Sequence, residues 1–513
     1  MNRTRSSTKN IIAGLANRLV MVLGEFLIRA IMIRTLGSEY LGLSNLFTSI
    51  LSMLNIAEMG FGSAMIFSMY KPIAENDKDK LRKLLGFYRK AYHVIGLIIL
   101  VFGSALTPFL PSLMKGEHPA DVNIYFLYFL YLANTVLGYF AFSYKASLFS
   151  AHQQDFVRTM IRSVVYVCIY AIQATALILL KNYYVYIIWM PIATLVINLI
   201  QAAVSKRMYP DLYPEGKLDK NEVKDIGKRV AGLATYQIAG AIFTNADTLV
   251  VSAFLGLATL AKYTNYYYIE YGLNIVLDTI SGGMTASIGN SIVTENVEKN
   301  AKDFHTINLI FLMMTGVITI CLVCLYQPFM TFWMGKSMLL SMENVIFFAV
   351  YFYFSNSSRA VGLYKNAAGI WWEDRFHPIV GIVVNITLNL WWVNIWGVNG
   401  VLLSSILHSA LISLPWATYF LYKLYFKKGY WKYIAEQYIV FAITAIAAFG
   451  IYKVCMRVAP ENNIVTFLIR LPIVLSLSIL LYVIYLIITH QLGMTYSYVK
   501  NHISILKNRR NHE

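Results

Sequence analysis

The stretch from Arg18 to Tyr70 reads RLVMVLGEFLIRAIMIRTLGSEYLGLSNLFTSILSMLNIAEMGFGSAMIFSMY, and its reading governs the rest of the chain. Most of it is apolar enough to lie in a bilayer, yet it carries Arg18, Glu25, Arg29 and Glu58. A charge at the centre of a membrane helix costs roughly 2.5–3.5 kcal/mol on insertion scales, so such residues face a bundle interior or a watery cavity. At about 100° per residue, Arg18, Glu25 and Arg29 fall within about 40° of one another. Glu25 and Arg29 also stand in the favourable i, i+4 order. The second segment continues the pattern, with Ser44, Thr48, Ser52, Asn55, Glu58 and Gly62 on one arc of about 120°. Two successive membrane helices with polar inner faces predict the wall of a solvated path.

Composition extends this reading to the whole chain. Of 513 residues, 58% are hydrophobic and 13% charged, with a mean hydropathy of +0.56. Soluble domains run near ~25% charged, so the expected fold class is an all-α polytopic membrane protein. Cys168, Cys321, Cys324 and Cys455 all lie in or beside apolar runs, and the Cys321–Cys324 CxxC has no second ligand pair, so packing is its reading. The nine histidines form no HExxH, and no GxxxxGK[ST] occurs. No resident metal or cofactor is expected, and transport would not be driven by ATP hydrolysis within this chain. The first apolar run carries internal charges and lacks a small-residue cleavage pattern, unlike a cleavable signal peptide.

Apolar runs of spanning length fall at about 11–36, 43–69, 85–108, 122–144, 160–181, 184–205, 229–254, 263–290, 306–327, 342–364, 378–396, 399–422, 436–458 and 464–489. That is about 14 transmembrane helices. With the N-terminus placed in the cytoplasm, the inner segments hold 33 Lys and Arg and the outer loops 6. The bias follows the positive-inside rule and puts both termini in the cytoplasm. The net charge of +17 is therefore topological, with anionic lipid as a secondary contact and no nucleic-acid partner. Two inner segments, Lys217–Lys228 and Tyr422–Tyr433, read as short amphipathic surface helices.

A repeat is visible. Ala13-Gly14-Leu15-Ala16 recurs as Ala231-Gly232-Leu233-Ala234, Leu36-Gly37 as Leu255-Gly256, and Leu54-Asn55-Ile56 as Leu273-Asn274-Ile275, at offsets of 218 or 219. The counterpart of the polar stripe is Tyr267, Tyr271, Asn274, Asp278, Ser281 and Thr285, bordered by Glu270. Asp247 falls where Arg29 stands in the first half. Six spans separate the copies, so the repeat is parallel: two pseudo-symmetric six-helix lobes with a cavity between them. The expected divisions are 1–216, 217–434, and 435–513 for two further helices and a cytoplasmic tail.

Each polar residue also has a plainer reading. Arg34 and Arg470, near the outer surface, are expected to snorkel. The Ser, Thr and Asn side chains can be ordinary interhelical hydrogen-bonders. Tyr263, Tyr266, Tyr267 and Tyr268 can form an interfacial aromatic belt or stack on sugars. Glu25 can simply neutralise its arginines. Two guanidiniums against one carboxylate leave a positive remainder suited to phosphate oxygens. Glu58 and Asp278 have no cationic neighbour on their own helices and are candidate carriers of a coupling proton or sodium ion.

LGSEYLGLSNLFTSILSMLNIAEMGFGSAMIFSMYKPIAENDKDKL, from Leu36 to Leu81, resembles the opening of the polysaccharide repeat-unit flippases of the multidrug/oligosaccharidyl-lipid/polysaccharide exporter superfamily. AIFTNADTLVVSAFLGLATLAKYTNYYYI (Ala241–Ile269) and NAAGIWWEDRFHPI (Asn366–Ile379) resemble later parts of the same family. The resemblance implies alternating access and, as cargo, an undecaprenyl-pyrophosphate-linked oligosaccharide bound for capsule, exopolysaccharide or O-antigen. It also implies a bacterial cytoplasmic membrane, membrane lipids as partners, and a polysaccharide polymerase with chain-length machinery nearby. On this reading Arg18 and Arg29 bind the pyrophosphate, while Glu25, Glu58, Asn55, Asp247, Glu270, Asn274 and Asp278 line the cavity or couple to an ion. Alternatives of the same architecture are a multidrug exporter, which the arginine stripe argues against, and a peptidoglycan-precursor flippase. A membrane polymerase or glycosyltransferase would need large outer loops or a supported DxD, and Asp77-Lys78-Asp79 has no supporting domain, so the chain does not read as an enzyme.

Overall fold

The computed structural model describes the backbone of residues 3–58, 60–116, 118–498 and 500, and all of their side chains but those of 3–8, 11, 56, 57 and 231–236. The expected tail past residue 500 lies outside the described residues. The repeat match at 231–234 lies where only a helical backbone is described.

The helices run α1 (Arg3–Thr35), α2 (Ser38–Leu54), α3 (Phe61–Ala74), α4 (Lys78–Ala105), α5 (Ile124–Phe140), α6 (Ser147–Ala151), α7 (Asp155–Thr175), α8 (Tyr183–Met208) and α9 (Lys220–Leu255). They continue as α10 (Leu257–Thr294), α11 (Val297–Trp333), α12 (Met342–Ser357), α13 (Arg359–Ala367), α14 (His377–Trp396), α15 (Val398–Leu407), α16 (Leu414–Leu421), α17 (Tyr430–Val458) and α18 (Ile464–Ile488). Asp77, Asn123, Asn182, Asn296, Ser341 and Asn463 start their helices by accepting backbone N–H groups that have no partner inside the helix. The chain divides into two compact units, Met1–Ala261 and Lys262–Glu513.

The all-α membrane class read from the sequence holds: among the described residues there is no strand. Among the described residues, nine helices are long and apolar enough to cross a membrane, or ten if the bent pair α5–α6 is one span. Every apolar run found in the sequence coincides with a helix or a pair of helices. The other four runs fall short of that measure because each is interrupted. Charged or polar side chains break the apolar pattern of α1 and α10, and backbone breaks split α2 from α3 and α12 from α13. The first break passes through one turn of 3-10 helix, Asn55–Glu58, to Gly60 at φ 85°, a left-handed conformation that a side chain would strain.

In the first unit α1 lies along α7. Asn17 accepts from Ser163 at 3.1 Å, and a Cβ on Gly24 would come within 2.2 Å of the Tyr170 ring, so the small residue permits the close approach. α9 packs against α2 and α3. Lys217–Lys228 is not a separate surface helix: α9 starts at Lys220 and runs unbroken to Leu255, because nothing between them forces a turn. The segment before α9 is strapped to the start of α4. Lys78 pairs with Asp211 at 2.7 Å, Lys80 with Glu222, and the Arg82 guanidinium lies 4.4 Å from the Tyr213 ring centre. The Lys78 hydrogen bond holds the Asp211 carboxyl below the usual carboxylate range.

In the second unit α11 packs against α12, α17 and α18. Its core holds Phe304, Phe311, Tyr353, Tyr364, Tyr433 and Tyr482. Gly316 leaves room for the Tyr482 hydroxyl, which pairs with Thr444 at 2.7 Å.

Two expectations fail here. Arg470 does not snorkel; it is 1% exposed. Pro328 has no N–H to give the Cys324 carbonyl four residues earlier, and Arg470 Nη1 fills that vacancy at 3.1 Å. Arg470 Nε and Nη2 donate to the Ala459 carbonyl at the end of α17, at 3.1 and 2.7 Å. Carbonyls that the helices cannot satisfy thus hold the guanidinium inside. Nor do Tyr263, Tyr266 and Tyr268 form a belt or a sugar platform. They are 3%, 0% and 8% exposed and pack on Phe348, Tyr326 and Trp333.

Candidate functional site

The charged stripe of α1 resolves into two different environments. Arg29 is 8% exposed; its Nε and Nη2 meet Glu25 Oε1 at 3.0 and 2.9 Å, and Nη2 also donates to Asn45 Oδ1 at 2.9 Å. Arg18 is exposed, with no hydrogen bond or ion pair among the described residues. Glu25 therefore does not keep both arginines paired, as expected; it reaches Arg29 alone, one helical turn away. A cavity of about 250 Å³ opens on Glu25, Arg29, Ser44, Asn45, Asn134 and Tyr166.

Asn134 and Tyr166 also line a second cavity, of about 460 Å³. The break between α2 and α3 delivers Asn55 and Glu58 to it. Tyr92 donates to Glu58 Oε1, and Tyr139 faces both Glu58 Oε2 at 2.8 Å and Asn55 Oδ1 at 3.1 Å. Tyr88 donates in turn to Tyr92 at 3.0 Å. Arg158 and Arg162 of α7 line the cavity too. Sequence reasoning counted both as inner-surface topology charges. Their i, i+4 spacing at the start of an apolar run was the available signal.

In the second unit Asp278 and Asn274 converge on a residue the sequence reading did not single out. Arg359, first in α13 after the break at Ser358, places Nη1 2.6 Å from Asp278 Oδ1 and Nη2 3.0 Å from Asn274 Oδ1. Its Nε donates to Asn356 at 2.6 Å. Asp278 has no cationic neighbour on its own helix but gains one from another. Glu270 is 1% exposed, with the Tyr326 hydroxyl 3.4 Å from its Oε1. Asp247 is 7% exposed on α9 and belongs to the first unit, whereas Asp278 belongs to the second. The candidate residues therefore form separate groups: Glu25 with Arg29, Asn55 with Glu58, and Asn274 with Asp278.

The repeat explains the likeness of two of these groups. Tyr139 lies 84 and 81 residues after its partners Asn55 and Glu58; Arg359 lies 85 and 81 after Asn274 and Asp278. An amide and a carboxylate are held the same way in each unit, by tyrosine in one and arginine in the other. Chemically, the first group can accept a proton, cation or hydroxyl donor, whereas the second is already neutralised.

The sequence matches the family described as polysaccharide biosynthesis protein over residues 7–288, more than half of the chain. No curated protein matches it. Among solved structures it is similar to the lipid II flippase MurJ in an inward closed conformation, at 15% identity and a TM-score of 0.69, covering 93% of this chain and 99% of that one. It is also similar to an inward-facing multidrug resistance MATE family transporter of the MOP superfamily, at 14% identity and a TM-score of 0.63, covering 81% and 98%. A mutant of the Vibrio cholerae MATE transporter VcmN aligns at 12% identity and a TM-score of 0.59, covering 83% and 99%. These likenesses establish the fold.

Proposed function

The chain belongs to the polysaccharide biosynthesis protein family, and on that premise we propose that it flips undecaprenyl-pyrophosphate-linked oligosaccharide repeat units from the inner to the outer leaflet of a bacterial cytoplasmic membrane. Alternating access carries the cargo, coupled to protons or sodium ions, and the product feeds a polymerase and its chain-length machinery. Both termini lie in the cytoplasm on the charge bias. The observation that carries the reading is Arg29, a buried guanidinium beside a cavity that Glu25, Ser44, Asn45 and Asn134 also line. A bare pyrophosphate crossing hydrocarbon is strongly disfavoured and needs such a partner. Arg18 and Arg29 are 11 residues apart, about 16 Å along the helix, too far for one simultaneous grip. Arg18, exposed and without a partner, takes the anion first; Arg29 takes it next by exchanging Glu25 for phosphate.

The test is substitution of each arginine, read by polysaccharide export with protein level as control. Ala at either position nearly abolishes export. Lys reduces it, because the charge remains and the planar fork is lost. Normal export from both Arg18→Ala and Arg29→Ala would reject the assignment. A peptidoglycan-precursor flippase is the second reading, favoured by the likeness to the lipid II flippase, which extends over nearly the whole chain.

A further inference from the structure

The 460 Å³ chamber of the first unit is lined by polar groups of two kinds. One kind is cationic, the guanidiniums of Arg158 and Arg162, a turn apart on α7. Arg158 is partly neutralised, its Nη2 donating to Asp155 Oδ2 at 3.0 Å. Arg162 has no hydrogen bond or ion pair among the described residues. The other kind accepts hydrogen bonds, the Glu58 carboxylate and the Asn55 amide, held by Tyr92 and Tyr139. Asn198 lines the same chamber, is 8% exposed, and its Nδ2 has no hydrogen-bond partner among the described residues. A buried amide donor left unsatisfied carries a free-energy cost, and a ligand oxygen relieves it. The volume lies within the range of roughly 300–1,000 Å³ usual for small-molecule sites.

We infer that this chamber is a glycosyl-phosphate site. Arg158 and Arg162 receive the phosphate, Glu58 accepts sugar hydroxyls, and the Asn198 amide donates to a ring or hydroxyl oxygen between them. An isolated phosphate would leave the remaining acceptor capacity of Glu58 unused, and a neutral sugar would leave the Arg162 charge without a partner. A molecule carrying both groups satisfies both. The glycosyl phosphate can come from a lipid-linked sugar or from a soluble sugar phosphate; the proposed transport function bears only on this choice of source.

The full-length protein in lipid nanodiscs is titrated calorimetrically with glucose 1-phosphate, glucose and inorganic phosphate. Glucose 1-phosphate should bind more tightly than either fragment. Arg162→Gln should weaken it by about tenfold or more, and Arg162→Lys by less. Glu58→Gln should weaken glucose 1-phosphate and leave inorganic phosphate unchanged. Thermal melting reports folding, and Arg162→Lys carries the test if Arg162→Gln does not fold. Binding unchanged in both Arg162 variants, inorganic phosphate binding as tightly as glucose 1-phosphate, or no binding at all would each overturn the inference. Displacement of the probe by a polyprenyl-pyrophosphate-linked glucose supports the site with a lipid source; persistence of the probe supports it with a soluble one. Normal export from the Arg18 and Arg29 variants would reject the α1 assignment and leave these titrations standing.

Discussion

The two units hold equivalent amide–carboxylate pairs with different chemistry. In the first, one tyrosine hydroxyl with a single proton faces both Asn55 and Glu58. In the second, one arginine supplies separate N–H groups to Asn274 and Asp278 and a third to Asn356. The arrangement is common to both repeats, but the shared donor differs, and Glu58 accepts from Tyr92 as well. A guanidinium cannot be deprotonated in a protein and stays a fixed cationic partner for the neighbouring carboxylate. A phenol supplies less than the carboxylate can accept, so Glu58 retains capacity for something else. A duplicated bundle thus keeps a structural clasp in one half while freeing the same position for exchange in the other.

The most severe way to break this comparison is to give the first unit the second unit's donor. Tyr139→Arg should lower export by at least about tenfold while leaving protein level unchanged, because Glu58 becomes a fixed ion pair. Export at the normal rate would mean that the missing cation beside Glu58 is incidental.

A smaller effect is expected from removing each acid. Glu58 keeps capacity beyond its tyrosines whereas Asp278 is already paired, so Glu58→Gln should reduce transport several-fold and Asp278→Asn less, with expression retained in both. An Asp278→Asn defect equal to or greater than that of Glu58→Gln would reverse the assignment. A double variant transporting normally over a range of external pH and sodium would place coupling elsewhere.

The smallest effects concern stability. Tyr139→Phe leaves Glu58 and Asn55 short of a donor and should cost about 1–2 kcal/mol, read as a lower melting temperature. The Asp278 side chain is 57% exposed, so solvent screens its pair, and Arg359→Met should cost no more than about 1 kcal/mol. A larger loss for Arg359→Met than for Tyr139→Phe would show that the arginine clasp carries the second unit.

The sequence displayed what is local to one helix. Glu25 and Arg29 were legible because an i, i+4 pair needs no knowledge of neighbours, and the structure joins them at 2.9 Å. The polar stripe toward Glu58 was legible for the same reason. Its bend at Gly60 was not, since an apolar run holding only Gly60 and Gly62 as glycines reads as continuous. Arg359 escaped notice because its partners are 81 and 85 residues away, a distance only the repeat bridges. Arg158 and Arg162 were assigned to topology because a cation at the inner end of a span serves that purpose equally well. Arg470 was misread because carbonyls freed by a distant proline have no signature beside it.

That last contact bears on how the chain is built. α18 is made after α11 and α17, and its arginine finds its acceptors on α11 and at the end of α17. Released into lipid alone, it would carry an unmatched charge into hydrocarbon. The α17–α18 hairpin must therefore come to rest beside α11, and a chain cut short before Arg470 would leave the carbonyl opposite Pro328 without its donor. The order of synthesis is in this way recorded inside the bundle, by a later helix satisfying a defect left in one made more than a hundred residues earlier.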